Sequence, residues 1–103
     1  MTPDQTARYL RQMIAALEAE RQALAALDLE ALVAASDEKQ AICTHLAPVA
    51  AMPDDGECRA LAESARAMNE INRRVRNLLA AQVAARIDGL AGEARTYSAS
   101  RAA

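Results

Sequence analysis

The most reactive side chains in this sequence are two cysteines and one histidine. Cys43 and His45 lie two residues apart, and Cys58 follows at some distance along the chain. Zinc sites are usually built from four Cys and His ligands at short spacings, and no fourth ligand accompanies these three. A metal site here is disfavoured, because free cysteines are common in protein cores. We expect the protein to need no metal and no cofactor.

Groups suited to catalysis are equally sparse. General acid–base and nucleophilic catalysis require side chains paired within hydrogen-bond reach, most often including a histidine. The chain has one His, and the neighbouring Asp37 and Glu38 point to different sides of a helix. No glycine-rich phosphate-binding loop is present. The sequence therefore predicts a protein that binds other proteins and is not an enzyme.

The composition predicts helices and little else. Ala accounts for 27 of the 103 residues, whereas Gly and Pro contribute three each, and Ala is the best helix former. Only 19 residues are Leu, Ile or Val. Burying each stabilises the fold by roughly 1.5–3 kcal/mol, against an ordering cost of about 1–2 kcal/mol for every residue. We expect a single domain, 1–103, with a marginal core that a partner completes, either a second copy or a client.

Charge is distributed unevenly along the chain. Residues 1–57 carry ten acidic and four basic residues, and residues 58–103 carry four acidic and eight basic ones. Two halves that pack on each other would explain this asymmetry. Nucleic-acid binding is disfavoured, because no dense basic face or recognisable module is present. The absence of a signal peptide and of a long apolar run predicts a cytoplasmic protein with reduced thiols.

Two helices are predicted in the first half of the chain. Thr2, Pro3 and Gln5 form a capping-box pattern, so the first helix should cover residues 3–27. Its apolar residues recur at helical spacing: Leu10, Met13 or Ile14, Leu17, Leu24 and Leu27. Glu18 and Glu20 are expected on or near its solvent-facing side. Asp28 favours a break and a second helix over 29–47, although one helix running through Asp28 is the alternative.

A loop and a long third helix follow. Prolines and an Asp-Asp-Gly run mark the loop at 48–57, and Asp54 or Asp55 can cap the next helix. The third helix should cover residues 57–91 and overhang the shorter ones, with 92–103 as a flexible tail. Its apolar seam is predicted to comprise Leu61, Ser64, Met68, Ile71, Val75 and Leu78. Beyond Leu78 the apolar pattern shifts by one residue, to Leu79, Val83, Ile87 and Leu90. The fold class is therefore all-α, an elongated three-helix antiparallel bundle or coiled coil.

The third helix also carries a family resemblance. The segment from Met68 to Val75, with Asn69 and Asn72, resembles the Asn-x-x-Asn helix of the FlgN family of flagellar export chaperones. In the first half, residues 17–39 resemble that family's Leu-x-x-Glu-x-x-x-Leu run, its acidic turn and the lysine that follows. Near the C-terminus, Thr96-Tyr97 resembles a family Thr-Tyr pair, without the glycine that usually follows it.

The resemblance implies a function. Such chaperones are helical, cytoplasmic and non-enzymatic; they bind hook-associated (hook–filament junction) proteins, prevent their premature assembly and deliver them to the flagellar type III export gate. By this resemblance the C-terminal half holds the client, and Tyr97 contributes to docking at the gate.

The late apolar residues suit such a client, because an amphipathic helix binds to anchors spaced by three and four residues. Leu79, Val83, Ile87 and Leu90 supply this spacing, although packing within the protein would also explain them. Asn69 and Asn72 share a helix face, and a bond across to helix two that fixes the register is favoured over client contact. The alternatives to an export chaperone are a self-associating helical bundle, including a homodimer, and another flagellar secretion adaptor.

Overall fold

The computed structural model describes residues 1–48 and 55–102, and their side chains as far as residue 96. Three helices follow one another along the chain: α1 (Pro3–Ala26), α2 (Leu29–Leu46) and α3 (Gly56–Ala102). The predicted all-α class with a long third helix is confirmed. The chain divides into two compact units, Met1–Arg73 and Arg74–Ala103. No helix in the described part of the chain is both long and apolar enough to cross a membrane.

The predicted start of α1 is confirmed at atomic level. Thr2 is the N-cap, and its hydroxyl oxygen accepts a hydrogen bond of 3.2 Å from the Gln5 amide. In return, the Thr2 amide donates to Gln5 Oε1 at 3.0 Å. These reciprocal bonds satisfy amide groups that the first turn of a helix leaves without a partner.

The predicted break between α1 and α2 is also confirmed. Asp28 is the N-cap of α2, and its carboxylate accepts a hydrogen bond of 3.1 Å from the Ala31 amide. Leu27 ends α1 in the left-handed conformation, with φ 53° and ψ 39°. The Asp28 amide donates to Ala23 O at 2.9 Å, which closes the last turn. Leu27 was expected in the core, but its side chain is 75% exposed, because the left-handed cap turns it away from the stripe of α1.

The entry into α3 is set by Asp55. Its carboxylate accepts a hydrogen bond of 3.1 Å from the Glu57 amide, and its carbonyl oxygen accepts one of 3.0 Å from the Arg59 amide. The prediction that Asp54 or Asp55 caps this helix therefore holds for Asp55. Most of the predicted loop at 48–57, including Asp54, lies outside the described residues.

The sequence predicts an end of the third helix at residue 91, and this is wrong, because α3 continues to Ala102. Gly89 and Gly92 each disfavour a helix by about 1 kcal/mol relative to Ala, but neither removes a backbone donor as Pro does. The Thr96 hydroxyl donates to Gly92 O at 2.9 Å. Helix propensity over the remaining residues therefore outweighs the two glycines. The flexibility expected of residues 92–103 stays a prediction.

In the first unit the helices run up, down and up. The start of α1 lies beside the start of α3, where the Cys58 thiol donates to Pro3 O at 3.4 Å. Further along, Asn72 on α3 contacts Leu17 on α1, so these two helices are parallel. The intervening α2 is antiparallel to both. Two clusters form the core, and their buried members are Met13, Ala16, Leu17, Ile42 and Ala65 in one, and Ala7, Leu10, Cys58 and Ala62 in the other.

The face that α3 buries differs from the predicted seam. Within that seam, Ser64 and Leu78 are exposed, and Ile71 is 43% exposed. The buried residues of α3 are instead small or polar: Cys58, Ala62, Ala65 and Asn72. Small side chains let two helix backbones approach closely, which favours dense packing. The predicted seam is therefore right in part: Leu61 and Met68 are half-buried and pack against the two core clusters, whereas Ile71 and Leu78 are exposed.

Leu27 provides a test of the turn between α1 and α2. A non-glycine residue in the left-handed region destabilises the folded state by roughly 1–2 kcal/mol. Glycine removes this strain, but it also increases the entropy of the unfolded chain, which cancels part of the gain in stability. We expect Leu27→Gly to raise the free energy of unfolding by about 0.5–1 kcal/mol in urea titrations followed by circular dichroism. The control, Ala26→Gly, lies within α1 and should lower it by a similar amount. A destabilised Leu27→Gly protein would contradict this explanation.

Candidate partner-binding surface and a buried polar layer

A buried carboxylate lies between the helices of the first unit. Glu20 on α1 is completely buried. Lys39 on α2 donates from Nζ to both carboxylate oxygens of Glu20, at 3.2 Å each. Removing a carboxylate from water is costly unless it is paired and hydrogen-bonded. The ammonium group of Lys39 therefore holds α2 against α1 at this level of the bundle.

Two asparagines of α3 complete the arrangement. Asn72 is 1% exposed, and its Nδ2 donates to Leu17 O and to Glu20 Oε1, both at 2.9 Å. Asn69 Oδ1 accepts a hydrogen bond of 2.9 Å from Lys39 Nζ. We call Glu20, Lys39, Asn69 and Asn72 the polar layer. Asn69 thus bonds to α2, as the sequence suggests, whereas the partner of Asn72 is α1.

The buried groups of the polar layer all have hydrogen-bond partners. An ammonium group has three N–H donors, and those of Lys39 reach the two oxygens of Glu20 and the amide oxygen of Asn69. Among the described residues, no buried side-chain nitrogen or oxygen lacks a hydrogen-bond partner. The geometry therefore points to a structural layer that sets the register of three helices, because a shift of any helix would separate these partners.

Neither the burial of Glu20 nor its pairing with the partly buried Lys39 was predicted from the sequence. Glu20 was expected on or near the solvent-facing side of α1, and this is wrong. A signal was present, because Leu17, Glu20 and Leu24 keep the alternating spacing of three and four. On α2 the same spacing includes Lys39 between Ala35 and Ile42. Lys39 is also the only lysine in a chain with eleven arginines.

The two cysteines lie in different surroundings. Cys43 is exposed, whereas Cys58 is fully buried, and both are free thiols. Burial raises the pKa of the Cys58 thiol, and its hydrogen bond of 3.6 Å to Asp55 raises the pKa further. Thiolate formation, and with it reactivity, is therefore suppressed at Cys58. Within the described residues, no three His, Cys, Asp or Glu side chains are placed to share a metal ion.

The second unit has a different kind of surface. We call Leu79, Val83, Ile87 and Leu90 the aliphatic stripe, since their spacing of three and four residues places them on one face of α3. Val83 is 55% exposed, Ile87 60% and Leu90 65%, while Leu79 is half-buried. Every described side chain from Ala80 to Ala91 is exposed. Among the described residues, the stripe is therefore a largely exposed apolar helix face.

The aliphatic stripe also keeps the spacing of the buried positions of α3. Leu79 follows Asn72 by seven residues, as Asn72 follows Ala65. Val83 then follows Leu79 by four. The apparent shift of the pattern after Leu78 arises because the predicted seam lay one position away from the residues that the structure buries. The side chain of Tyr97, the predicted gate-docking residue, lies outside the part of the chain whose side chains are described.

Comparisons of this chain with protein-family models, with curated proteins and with solved structures return no match.

Removing the Lys39 ammonium tests the polar layer. Lys39→Met keeps an unbranched side chain that is shorter by one atom, but it leaves the buried carboxylate without its cation, and breaking such a pair costs roughly 3–5 kcal/mol. We expect urea titration to show that the free energy of unfolding falls by an amount of this order. Gln40→Met, at an exposed neighbouring position on α2, is the matched control and should change stability by less than about 0.5 kcal/mol. Equal effects of the two substitutions would show that the layer contributes no specific stability.

Proposed function

We propose that this chain is a cytoplasmic binding protein that takes up an amphipathic helix of a client on the aliphatic stripe. The observation that carries the proposal is the exposure of Val83, Ile87 and Leu90, each more than half accessible to water. Contiguous exposed apolar surface of this kind is typical of interaction sites. Anchors three and four residues apart on one helix face suit a helical client.

The energetics favour a reversible complex. Burying a fully exposed Leu, Ile or Val side chain yields roughly 1.5–3 kcal/mol, so covering these three partly exposed residues yields about 3–5 kcal/mol. Association itself costs at least several kcal/mol in lost freedom. The client must therefore supply further contacts, and affinity in the micromolar range is expected. Reversible binding suits a protein that releases its client.

The resemblance to the FlgN family supplies the identity of the client in this proposal. On that basis the client is the C-terminal segment of a hook-associated flagellar protein. The chain would keep this segment from assembling prematurely and deliver it to the flagellar type III export apparatus. Asn69 and Asn72, the residues that carry the resemblance on α3, belong to the polar layer and would act by positioning helices, not by touching the client.

Val83→Asp tests the client-binding surface. A carboxylate within the stripe cannot be buried against an apolar client without a large desolvation cost, so we expect at least a tenfold loss of affinity. The measurement is calorimetry of the full chain with the C-terminal segment of a hook-associated protein from the same organism. Because Val83 is 55% exposed, circular dichroism should show a melting curve close to that of the unmodified protein.

The matched control for Val83→Asp is Ala81→Asp, which adds the same charge on the opposite face of the same helix, where Ala81 is exposed. It should bind the client segment normally. If the unmodified, folded chain does not bind the segment, or if both substitutions weaken binding equally, the stripe is not the client site. Loss of helix in Val83→Asp that matches the loss of binding would instead place Val83 in a core.

A separate prediction concerns delivery. By the resemblance, Tyr97 contributes to docking at the export gate, so Tyr97→Ala should leave the affinity for the client segment unchanged in calorimetry. Secretion of the hook-associated protein, measured in the culture medium of a strain that carries this variant, should fall. Reduced client affinity in Tyr97→Ala would assign this residue to client binding instead.

A further inference from the structure

We propose that, in the absence of a client, the aliphatic stripe pairs with the same stripe of a second copy of this chain. The two α3 helices run antiparallel in this pair, and a two-fold axis passes between Ala84 and Ala85. The role assigned to the pair, which is to cover the stripe until a client replaces it, rests on the proposed function. The pairing itself rests on the order of residues along α3.

The apolar residues of the stripe are arranged symmetrically about one point. Counted in residues along α3, Leu79 and Leu90 lie equally far from the point between Ala84 and Ala85. The separations of Val83 and Ile87 from that point differ by one residue. In a two-fold interface, residue i of one copy contacts residue j of the other, and j contacts i. An antiparallel pair therefore sets Leu79 opposite Leu90 of the partner subunit twice, with the shorter Val83 beside Ile87 of the partner subunit.

The charges at the two ends of the stripe favour the same orientation. Arg76 and Glu93 are also equally distant from the point between Ala84 and Ala85. An antiparallel pair brings Arg76 towards Glu93 of the partner subunit, and the guanidinium group has five N–H donors with which to bind several acceptors. A parallel pair would set Arg76 beside Arg76 of the partner subunit, and like charges facing each other across an interface oppose association.

Small residues along one edge of the stripe permit close contact. Ala80, Ala84 and Ala91 lie on this edge and are exposed. Alanine lets two helix backbones approach more closely than larger side chains do. The contact area is nevertheless modest, since stable interfaces bury about 1,200–2,000 Å² in total and one pair of short helical segments lies near or below the lower limit. We therefore infer a weak pair, with a Kd on the order of 10–100 μM.

Weak pairing has a regulatory consequence. The client and the second copy use the same side chains, so each excludes the other. By mass action, dissociation of the pair then accompanies client binding. The exposed apolar face is thus covered at high chain concentration, and a client of micromolar affinity still displaces the second copy.

The oligomeric state of the full chain tests the pairing. Sedimentation equilibrium over concentrations below and above the expected Kd should show a monomer–dimer equilibrium. Leu90→Asp should weaken dimerisation at least tenfold, because it sets carboxylates against Leu79 of the partner subunit at both ends of the interface. Ala81→Asp, on the opposite face, should dimerise normally. A chain that stays monomeric throughout, or a Leu90→Asp variant that dimerises normally, would overturn the proposal.

Disulfide trapping tests the orientation. In a Cys43→Ser background, with Cys58 protected by burial, a mixture of Leu79→Cys and Leu90→Cys chains should form a mixed disulfide on mild oxidation. Each variant alone should cross-link poorly, since two copies of residue 79 would lie about 16 Å apart along an antiparallel pair, beyond disulfide reach. Efficient cross-linking of each variant with itself, without enrichment of the mixed product, would indicate a parallel pair and overturn the proposal.

Separate measurements distinguish failure of this inference from failure of the proposed function. A monomeric chain that binds the hook-associated segment would overturn the pairing and leave the proposed function intact. A dimeric chain that binds no segment would support the pairing. It would overturn both the proposed function and the role of the pair in covering the stripe until a client binds. With a saturating segment, the dimer should disappear; a dimer that persists with the segment bound would show that client and second copy use different surfaces.

Discussion

The structure of the first unit depends on the burial of one carboxylate. Glu20 is fully withdrawn from water, and its charge is compensated by an ammonium group from α2 and an amide from α3. Each partner comes from a different helix, so the carboxylate is satisfied only when all three helices stand in one register. A slip of one turn would leave a buried charge without its partners, at a cost of several kcal/mol. We infer that the polar layer selects the arrangement of the bundle more than it adds to its stability.

This selection matters because the apolar side chains that α3 buries in the bundle are small. Cys58, Ala62 and Ala65 of α3 are buried in clusters to which α1 contributes the larger Leu10, Met13 and Leu17. Small side chains allow close packing, but they interlock less specifically than large ones. The hydrogen bonds from Asn72 to Leu17 O and Glu20 single out one offset. In this bundle the apolar contact therefore defines the offset of α3 only loosely, and the polar contact defines it closely.

The second unit differs from the first in the apolar side chains that α3 carries and in their exposure. Large aliphatic side chains stand on the C-terminal part of α3, and three of the four members of the stripe are more than half exposed. The stripe holds no buried charge that demands a particular partner. An apolar face with simple spacing sets few geometric demands on a helix that packs against it, which is the basis of both proposals for this surface. The chain thus places a specific polar contact in one unit and an exposed apolar surface in the other.

Much of this follows from the sequence alone. Helix propensity and local capping groups determine the three helices, the cap at Thr2 and the break at Asp28, because these depend on residues a few positions apart. Periodicity likewise places Leu79, Val83, Ile87 and Leu90 on one face. Periodicity does not decide which of two adjacent stripes of α3 is buried, and hydrophobicity favoured the wrong one. The tertiary structure buries the stripe that contains Ala62, Ala65 and Asn72. With this stripe facing α1, the two helix backbones approach closely and Asn72 reaches Glu20. The tertiary structure also buries the carboxylate of Glu20, which is possible because the partly buried ammonium of Lys39, on a different helix, compensates its charge.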